Sequence, residues 1–233
     1  MVPGSPTERL ASKQLTIGEN QPDRPFGRRF PAVGKREGRR NFNSEVVMTA
    51  LSALWLPILV SAVFVFIASS IVHMAMPWHK KDYGGVPNER EVSDALRPFA
   101  IPPGDYMLPK PAKFDDMKTP EFAERMLQGP NIMMTVLPNG PWSMGRNLSL
   151  WFLYCVAASA AAGLIAGGAL PANAESKTIW HFAALTSLFS YVFALWQMSI
   201  WYRRSWATTI KSTFDGLIYA VVTAFTFVWL WPR

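Results

Sequence analysis

Apolar residues in this chain are gathered into four long runs, separated by polar stretches of very unequal length. Residues 50–72, "ALSALWLPILVSAVFVFIASSIV", 148–170, "LSLWFLYCVAASAAAGLIAGGAL", and 179–202, "IWHFAALTSLFSYVFALWQMSIWY", contain no Asp, Glu, Lys or Arg. The fourth run, "STFDGLIYAVVTAFTFVWLW" at 212–231, holds a single acid, Asp215, near its start. About 20 apolar residues carry a helix across the hydrocarbon of a bilayer, and only elements that satisfy their own backbone hydrogen bonds are stable there. The pattern predicts an all-α membrane protein whose four transmembrane helices occupy 48–74, 147–170, 179–202 and 212–231. Trp55, Trp78, Trp142, Trp151, Trp180, Trp201, Trp206, Trp229 and Trp231 fall near the ends of these runs, where an amphipathic indole favours the headgroup zone. Pro57, inside the first run, predicts a kink.

In the second run small residues recur every four positions, at Ser159, Gly163 and Gly167. Such spacing lets helix backbones approach closely, either within the four-helix bundle or between two copies of the chain. Packing within the bundle is the simpler expectation. The lone cysteine, Cys155, has no internal disulfide partner and leaves the redox compartment open.

Four spans place the long segment 75–146 and the short segment 203–211 on one side of the membrane. Within 75–146 the signals are those of a loop subdomain with short amphipathic helices and little or no β-ribbon. "VPNEREVSDALRPF" offers Asn88 as an N-cap, acids in the first turn, and apolar Val92, Leu96 and Phe99. "KTPEFAERMLQGP" offers Thr119 as cap, Pro120 in the first turn and Gly129 as a stop. Between them the prolines of "FAIPPGDYMLPKP" exclude helix and central strand. Pro102, Pro103, Gly104, Asp105 and Tyr106 are therefore expected to form an ordered strap across the helix ends, holding the amphipathic helices against the membrane. "DYMLP" and "IMMTVLP" are extended segments able to pair as a minimal ribbon, and Ser143 or Asn147 caps the second span.

Composition alone, 50% hydrophobic and 17% charged, would suit a soluble protein; it is the distribution that excludes one. Charge matters chiefly for orientation. Segment 75–146 carries nine Lys or Arg and 203–211 three, whereas the opposite side has Lys177 and Arg233 together with whatever precedes the first span. Residues 1–47 hold nine more basic residues in a polar, Gly- and Pro-rich tail without helical or strand period. Met48 stands directly before the first span, and "SEVV" ahead of it can be encoded by a ribosome-binding sequence. Translation is expected to begin at Met48; the alternative is a disordered basic arm at the membrane surface. From Met48 the charge bias puts both loops in the cytoplasm, and a translated tail reverses the protein. The net charge of +7 suits anionic headgroups, not nucleic acid.

Candidate chemistry gathers on the loop side, as a polar cluster of His73, His79, Asp82, Arg203, Arg204, Lys211 and Asp215. An acid near a span is costly and often functional, but an ion-pair cluster of Asp215 with Lys211, Arg203 and Arg204 is the plainer expectation. His181 begins the third span on the opposite face, which rules out a haem shared with His73. A metal site of His73, His79 and Asp82 has no recognised ligand spacing. Met107, Met117, Met126, Met133, Met134 and Met144 are spread as apolar faces, not as copper-binding clusters. No metal, no cofactor and no catalytic residues are expected, and no nucleotide-binding, zincin or nucleophile-elbow motif occurs.

From Met48 onward the chain resembles a family of bacterial four-helix inner-membrane proteins that carries no assigned activity. The resemblance rests on "LWLPILVSAVFVFIASSIVHM", "WHKKDYGGVPNE", "DALRPFAIPPGDYMLP", "MMTVLPNGPWSMG", "WQMSIWYRRSW" and "TFDGLIYAVVTAFTFVWLWPR". It implies the same four-span plan in a bacterial inner membrane and brings no site residues. The leading functional expectation is an accessory, assembly or scaffold component, with the lipid bilayer and a membrane-protein partner or second copy as its contacts. The alternative is a small oligomeric transporter or lipid-handling protein that uses the loop-side cluster.

Overall fold

The computed structural model describes residues 49–232. The basic tail 1–47 and the Met48 start lie outside the described residues. Among the described residues, four helices are long and apolar enough to cross a membrane: α1 (Leu51–Ala75), α4 (Met144–Ala169), α5 (Ser176–Ile200) and α6 (Trp206–Leu230). Between α1 and α4 lie two short helices, α2 (Glu89–Leu96) and α3 (Pro120–Gln128), and two strands, β1 (Gly104–Leu108) and β2 (Ile132–Val136). The chain is mostly helical, and its architecture is that of a multi-pass membrane protein. α4 and α6 begin ahead of the apolar runs because "MGRN" and "WATTIK" contain nothing that stops a helix.

The four long helices form a ring in which α1 and α5 each pack between α4 and α6. Their faces are sorted by size. α1 turns Ile58, Ser61, Ala62, Val65 and Ser69 inward and exposes Leu59, Val63 and Ile67. α4 buries Cys155, Ala158, Ser159, Ala162, Gly163, Ala166 and Gly167 and exposes Leu153, Leu164 and Ile165. α6 buries Gly216, Tyr219, Ala220, Thr223, Ala224 and Phe227 and exposes Leu217, Ile218, Val221 and Phe225. Each inward set repeats at three and four residues, the period of a helical face. Small residues inside and large apolar residues outside is the reverse of a soluble core. Lipid removes the hydrophobic drive between helices and leaves close packing to hold them. Several threonine hydroxyls turn back on their own helices, as Thr223 Oγ1 to the Tyr219 carbonyl (2.9 Å) and Thr226 Oγ1 to the Val222 carbonyl (2.8 Å), which satisfies those donors within the helix.

One end of the bundle is clasped. Thr49 donates twice to the Leu170 carbonyl, from its backbone N–H (3.1 Å) and its hydroxyl (2.9 Å). Trp231 Nε1 donates to the Pro171 carbonyl at 3.3 Å. Leu54, Ile58, Ala162, Ala166, Ile179, Ala183, Ala224 and Phe227 fill this end. A methyl group on Gly163 would meet Ile58 Cδ1 at 2.9 Å, and one on Gly167 would meet Leu54 Cδ1 and the Thr49 carbonyl oxygen at 2.8 Å. The small-residue face of α4 thus lies against α1 of the same chain. Pro57 stands in the first α-helical turn, after the 3-10 segment Leu51–Leu54. A missing N–H costs little there, so the proline sits at the entry of the span and not in its middle.

The other end is looser in its backbone. α1 closes in a π-helical turn, Ile71–Ala75, with the Met76 N–H reaching back to the Ile71 carbonyl at 3.2 Å. Pro77 holds Met76 extended (φ −87°, ψ 143°) and ends the helix. α5 contains a second π-helical turn at Phe189–Phe193, against which α6 lays Gly216; a Cβ there would run into Val192 Cγ2.

In the intervening segment, Thr119 Oγ1 accepts from the Phe122 N–H at 3.3 Å, Pro120 opens α3 and Gly129 ends it at φ +63°. Asn88 precedes α2 but is left-handed (φ 51°) and its side chain does not cap; Ser143 precedes α4 without a side-chain cap either. β1 and β2 pair antiparallel, Gly104 opposite Val136 and Leu108 opposite Ile132. Tyr106 donates to the Pro102 carbonyl (2.9 Å) and Thr135 to Asp105 (2.6 Å). Pro102, Pro103, Gly104, Asp105 and Tyr106 therefore enter a ribbon. Between Pro77 and Ser143 only Phe122 is buried, so this segment builds no core of its own.

The adjacent glycines of α4 separate packing from helix propensity. Gly167→Ala is expected to lower stability by about 1–3 kcal/mol, the cost of overpacking against a backbone carbonyl. Gly168→Ala, with nothing within 4 Å, is expected to raise it by up to about 1 kcal/mol, the gain in helix propensity alone. Thermal unfolding of the two variants in detergent measures the difference.

Candidate functional site

The site is built where the chain leaves α1. After Pro77 a short 3-10 turn, Pro77–His79, curls over the end of the bundle and meets α6, with Trp78 edge-on to Phe214 at 6.5 Å. The turn delivers His79 and, three residues later, Asp82 to the face of α6 that carries Lys211 and Asp215. His79 Nδ1 donates to Asp82 Oδ2 at 2.6 Å, and His79 Nε2 faces Asp215 Oδ2 at 2.9 Å. Lys211 Nζ donates to the other oxygen of Asp82 at 2.6 Å. Both carboxylates are withdrawn from solvent, their side chains 8% and 6% exposed. Two carboxylate oxygens on the two nitrogens of one imidazole call for a proton in each contact. Burial pushes the Asp82 carboxyl up, but the hydrogen bonds from Lys211 and His79 outweigh it, and the group lies below the ordinary aspartate value.

His73 joins this group from the π-helical turn of α1. Its ring stacks on that of His79, centroids 4.4 Å apart and planes within 7°. Its Nδ1 lies 3.0 Å from the Ser69 carbonyl. A carbonyl only accepts, so Nδ1 carries the hydrogen, and the neutral ring in this tautomer has its lone pair on Nε2. One ring nitrogen from each histidine and a carboxylate oxygen of Asp215 lie within 4.8 Å of one another.

Below the cluster a cavity of about 680 Å³ opens among α1, α4, α5 and α6. His73, Asp215, Ser69, Asn147 and Ser212 are among its polar lining residues; Met74, Leu148 and Leu195 are among its apolar ones. Trp151, Tyr154, Tyr191 and Tyr219 line the remainder as one connected group of rings, centroids 5.4–6.2 Å apart. Trp151 Nε1 donates to Ser69 Oγ at 2.8 Å, so this indole belongs to the interior and not to a headgroup belt. The hydroxyls of Tyr191 and Tyr219 are buried without a partner among the described residues. The cavity's backbone frame includes both π-helical turns, a feature frequent at functional sites.

Of the candidate polar residues the structure connects His73, His79, Asp82, Lys211 and Asp215. It does not bring in Arg203 or Arg204: neither forms an ion pair among the described residues. Arg203 is left-handed (φ 58°) in the α5–α6 turn, and the Arg204 N–H closes that turn on the Met198 carbonyl at 3.0 Å. Lys211 pairs with Asp82, and Asp215 takes His79 as its partner. His181 lies in α5 on a second, largely apolar cavity shared with Ala161, Ile165 and Phe182, outside the cluster. Sequence reasoning missed the aromatic lining, although Ser69 and His73, Trp151 and Cys155, and Asp215 and Tyr219 are each four residues apart and so share helix faces.

Comparison with protein-family models, with curated proteins and with solved structures finds no match to this chain. Its function is therefore to be sought in the geometry of the site.

Removing Lys211 tests the network. Lys211→Ala leaves the solvent-withdrawn carboxylate of Asp82 with one partner fewer and is expected to cost about 2 kcal/mol, less than a fully buried pair, because Lys211 stays 26% exposed. Arg203→Ala is expected to be neutral. Unfolding midpoints in the same detergent give both values.

Proposed function

We propose that this is a bacterial inner-membrane protein that binds and handles an amphiphile, its polar head at the His73–Asp215 rim and its apolar part in the aromatic cavity. The observation that carries this reading is the mixed lining of the cavity. His73, Asp215 and the hydroxyls of Ser69 and Ser212 share it with Trp151, Leu148, Leu195 and three tyrosine rings. A pocket of several hundred Å³ with a few convergent polar groups is the usual form of a small-ligand site. The partnerless hydroxyls of Tyr191 and Tyr219 supply polar contacts that a bound molecule or water would satisfy. The mouth lies on the side of 75–146 and 203–211. For a chain that starts at Met48 their nine and three basic residues, against Lys177 and Arg233, favour the cytoplasm.

A second reading, an accessory or scaffold component, is favoured by the apolar side chains that the α1–α4 segment leaves uncovered. Tyr83, Phe99, Phe114 and Leu127 are all more than two-thirds exposed, a surface that a membrane-protein partner or the bilayer would cover.

Purification from native-level expression in a mild detergent, with mass spectrometry of retained lipids and proteins, distinguishes them. The expected result is about one amphiphile per chain, with retention falling roughly tenfold or more in Asp215→Asn and Trp151→Ala, the loss of one strong polar or aromatic contact. A stoichiometric protein partner with no retained amphiphile would favour the scaffold and exclude the amphiphile reading.

A further inference from the structure

The geometry points to a divalent transition-metal site formed by His73, His79 and Asp215, with zinc as the ion its donor set fits best. Two imidazole nitrogens and one carboxylate oxygen are donors that suit borderline ions such as zinc, in contrast to the all-oxygen sets of magnesium and calcium. Chain spacing hides the set, because Asp215 lies 136 residues from His79. Asp82, close in sequence to both histidines, is not in the metal-facing group; it stands behind His79.

The arrangement behind the three donors is what separates this group from a chance cluster. Each histidine has its Nδ1 engaged, His79 by the Asp82 carboxylate at 2.6 Å and His73 by the Ser69 carbonyl at 3.0 Å. Metal-binding histidines commonly donate their other ring N–H to a carboxylate or a backbone carbonyl, which fixes the tautomer and raises the basicity of the ligating nitrogen. Both forms of that support occur here, side by side. Asp82 is itself held by Lys211 at 2.6 Å, so the outer layer is anchored on α6. Once the proton between His79 and Asp215 is given up, two carboxylates face one ammonium, and a bound cation takes the place of that proton beside Asp215.

The distances require a small closure. Ligand atoms on a tetrahedral zinc ion stand roughly 3.3 Å apart. His79 Nε2 and Asp215 Oδ2 are already 2.9 Å apart, and the full set lies within 4.8 Å. The parallel rings must tilt for both lone pairs to converge on one ion. His73, exposed on the π-helical turn that ends α1, is free to make that movement, while His79 is held between its two carboxylates. Three protein ligands leave a coordination position open, and His73 and Asp215 both border the cavity. The inference stands on these side chains alone and does not depend on the amphiphile.

The full chain, purified in mild detergent and freed of metal with a chelator that is then removed, is titrated with zinc by calorimetry and with cobalt by visible absorption. The expected result is one ion per chain. Affinity should fall at least roughly tenfold in His73→Ala, and by a similar factor in Asp82→Asn, which removes support and no ligand. His181→Ala should bind as the unaltered protein does. X-ray absorption of the zinc-loaded unaltered chain provides a reading that needs no variant, and two imidazoles plus oxygen donors are expected. Absence of saturable binding, fewer than two imidazoles on the ion, or unchanged affinity in a folded His73→Ala overturns the site. Lipid retention measured on the same preparation is a separate outcome, so metal and amphiphile succeed or fail independently.

Discussion

A carboxylate buried in a helix apolar enough to cross a membrane cannot be left alone, and the loop-side end of this protein is organised around Asp215. Its residue is 4% exposed, too withdrawn for water to compensate its charge. The compensation comes from His79, on the far side of the chain's longest polar excursion from α6, and it fixes much else. His79 must stay over α6, so the Pro77–His79 turn must fold back on the bundle. Asp82 then comes with it and takes up Lys211. The interaction ties the exit of the first span to the entry of the last, which no covalent connection does directly.

The shape of the cavity depends on how tightly the helices meet elsewhere. Gly163 and Gly167 let α1 lie almost on the α4 backbone, and Gly216 admits the π-helical turn of α5. Where such contacts stop, large side chains with polar tips take over: Trp151, Tyr154, Tyr191 and Tyr219. Their rings touch one another but leave space toward His73 and Asp215. Each π-helical turn carries a cavity residue, His73 in α1 and Tyr191 in α5. The extra residue in the turn shifts the face that the succeeding side chains present.

Sequence reading and structure diverge in an instructive way. Spans were legible because hydrocarbon imposes one requirement on twenty consecutive residues. The α3 cap was legible because Thr119, Pro120 and Gly129 each carry their own local reason. The ribbon could be read from proline punctuation. Asn88 shows the limit of such local reasoning: the residue is where a cap belongs, but it adopts a left-handed backbone and its side chain caps nothing. Composition near the interface nominated His73, His79, Asp82, Lys211 and Asp215, which the structure places side by side, yet could not decide who pairs with whom. Arg203 and Arg204 have the right charge on the right side and still stand apart, because a tight turn points the backbone elsewhere. Trp151 looked like an interfacial anchor by position; only the tertiary fold reveals the hydrogen bond to Ser69 and the rings around it.

The two ends of the bundle are mechanically unlike. Thr49 and Trp231 fasten the ends of α1 and α6 to Leu170 and Pro171, and glycine contacts act as detents against axial sliding. The opposite end is held by side chains that can exchange partners. A bundle fixed at one end and tied at the other by a histidine bridge has the geometry of a pair of tweezers. The clasp is its pivot, and a given angular displacement about it translates into the greatest separation at the mouth of the cavity, where His73, His79 and Asp215 stand.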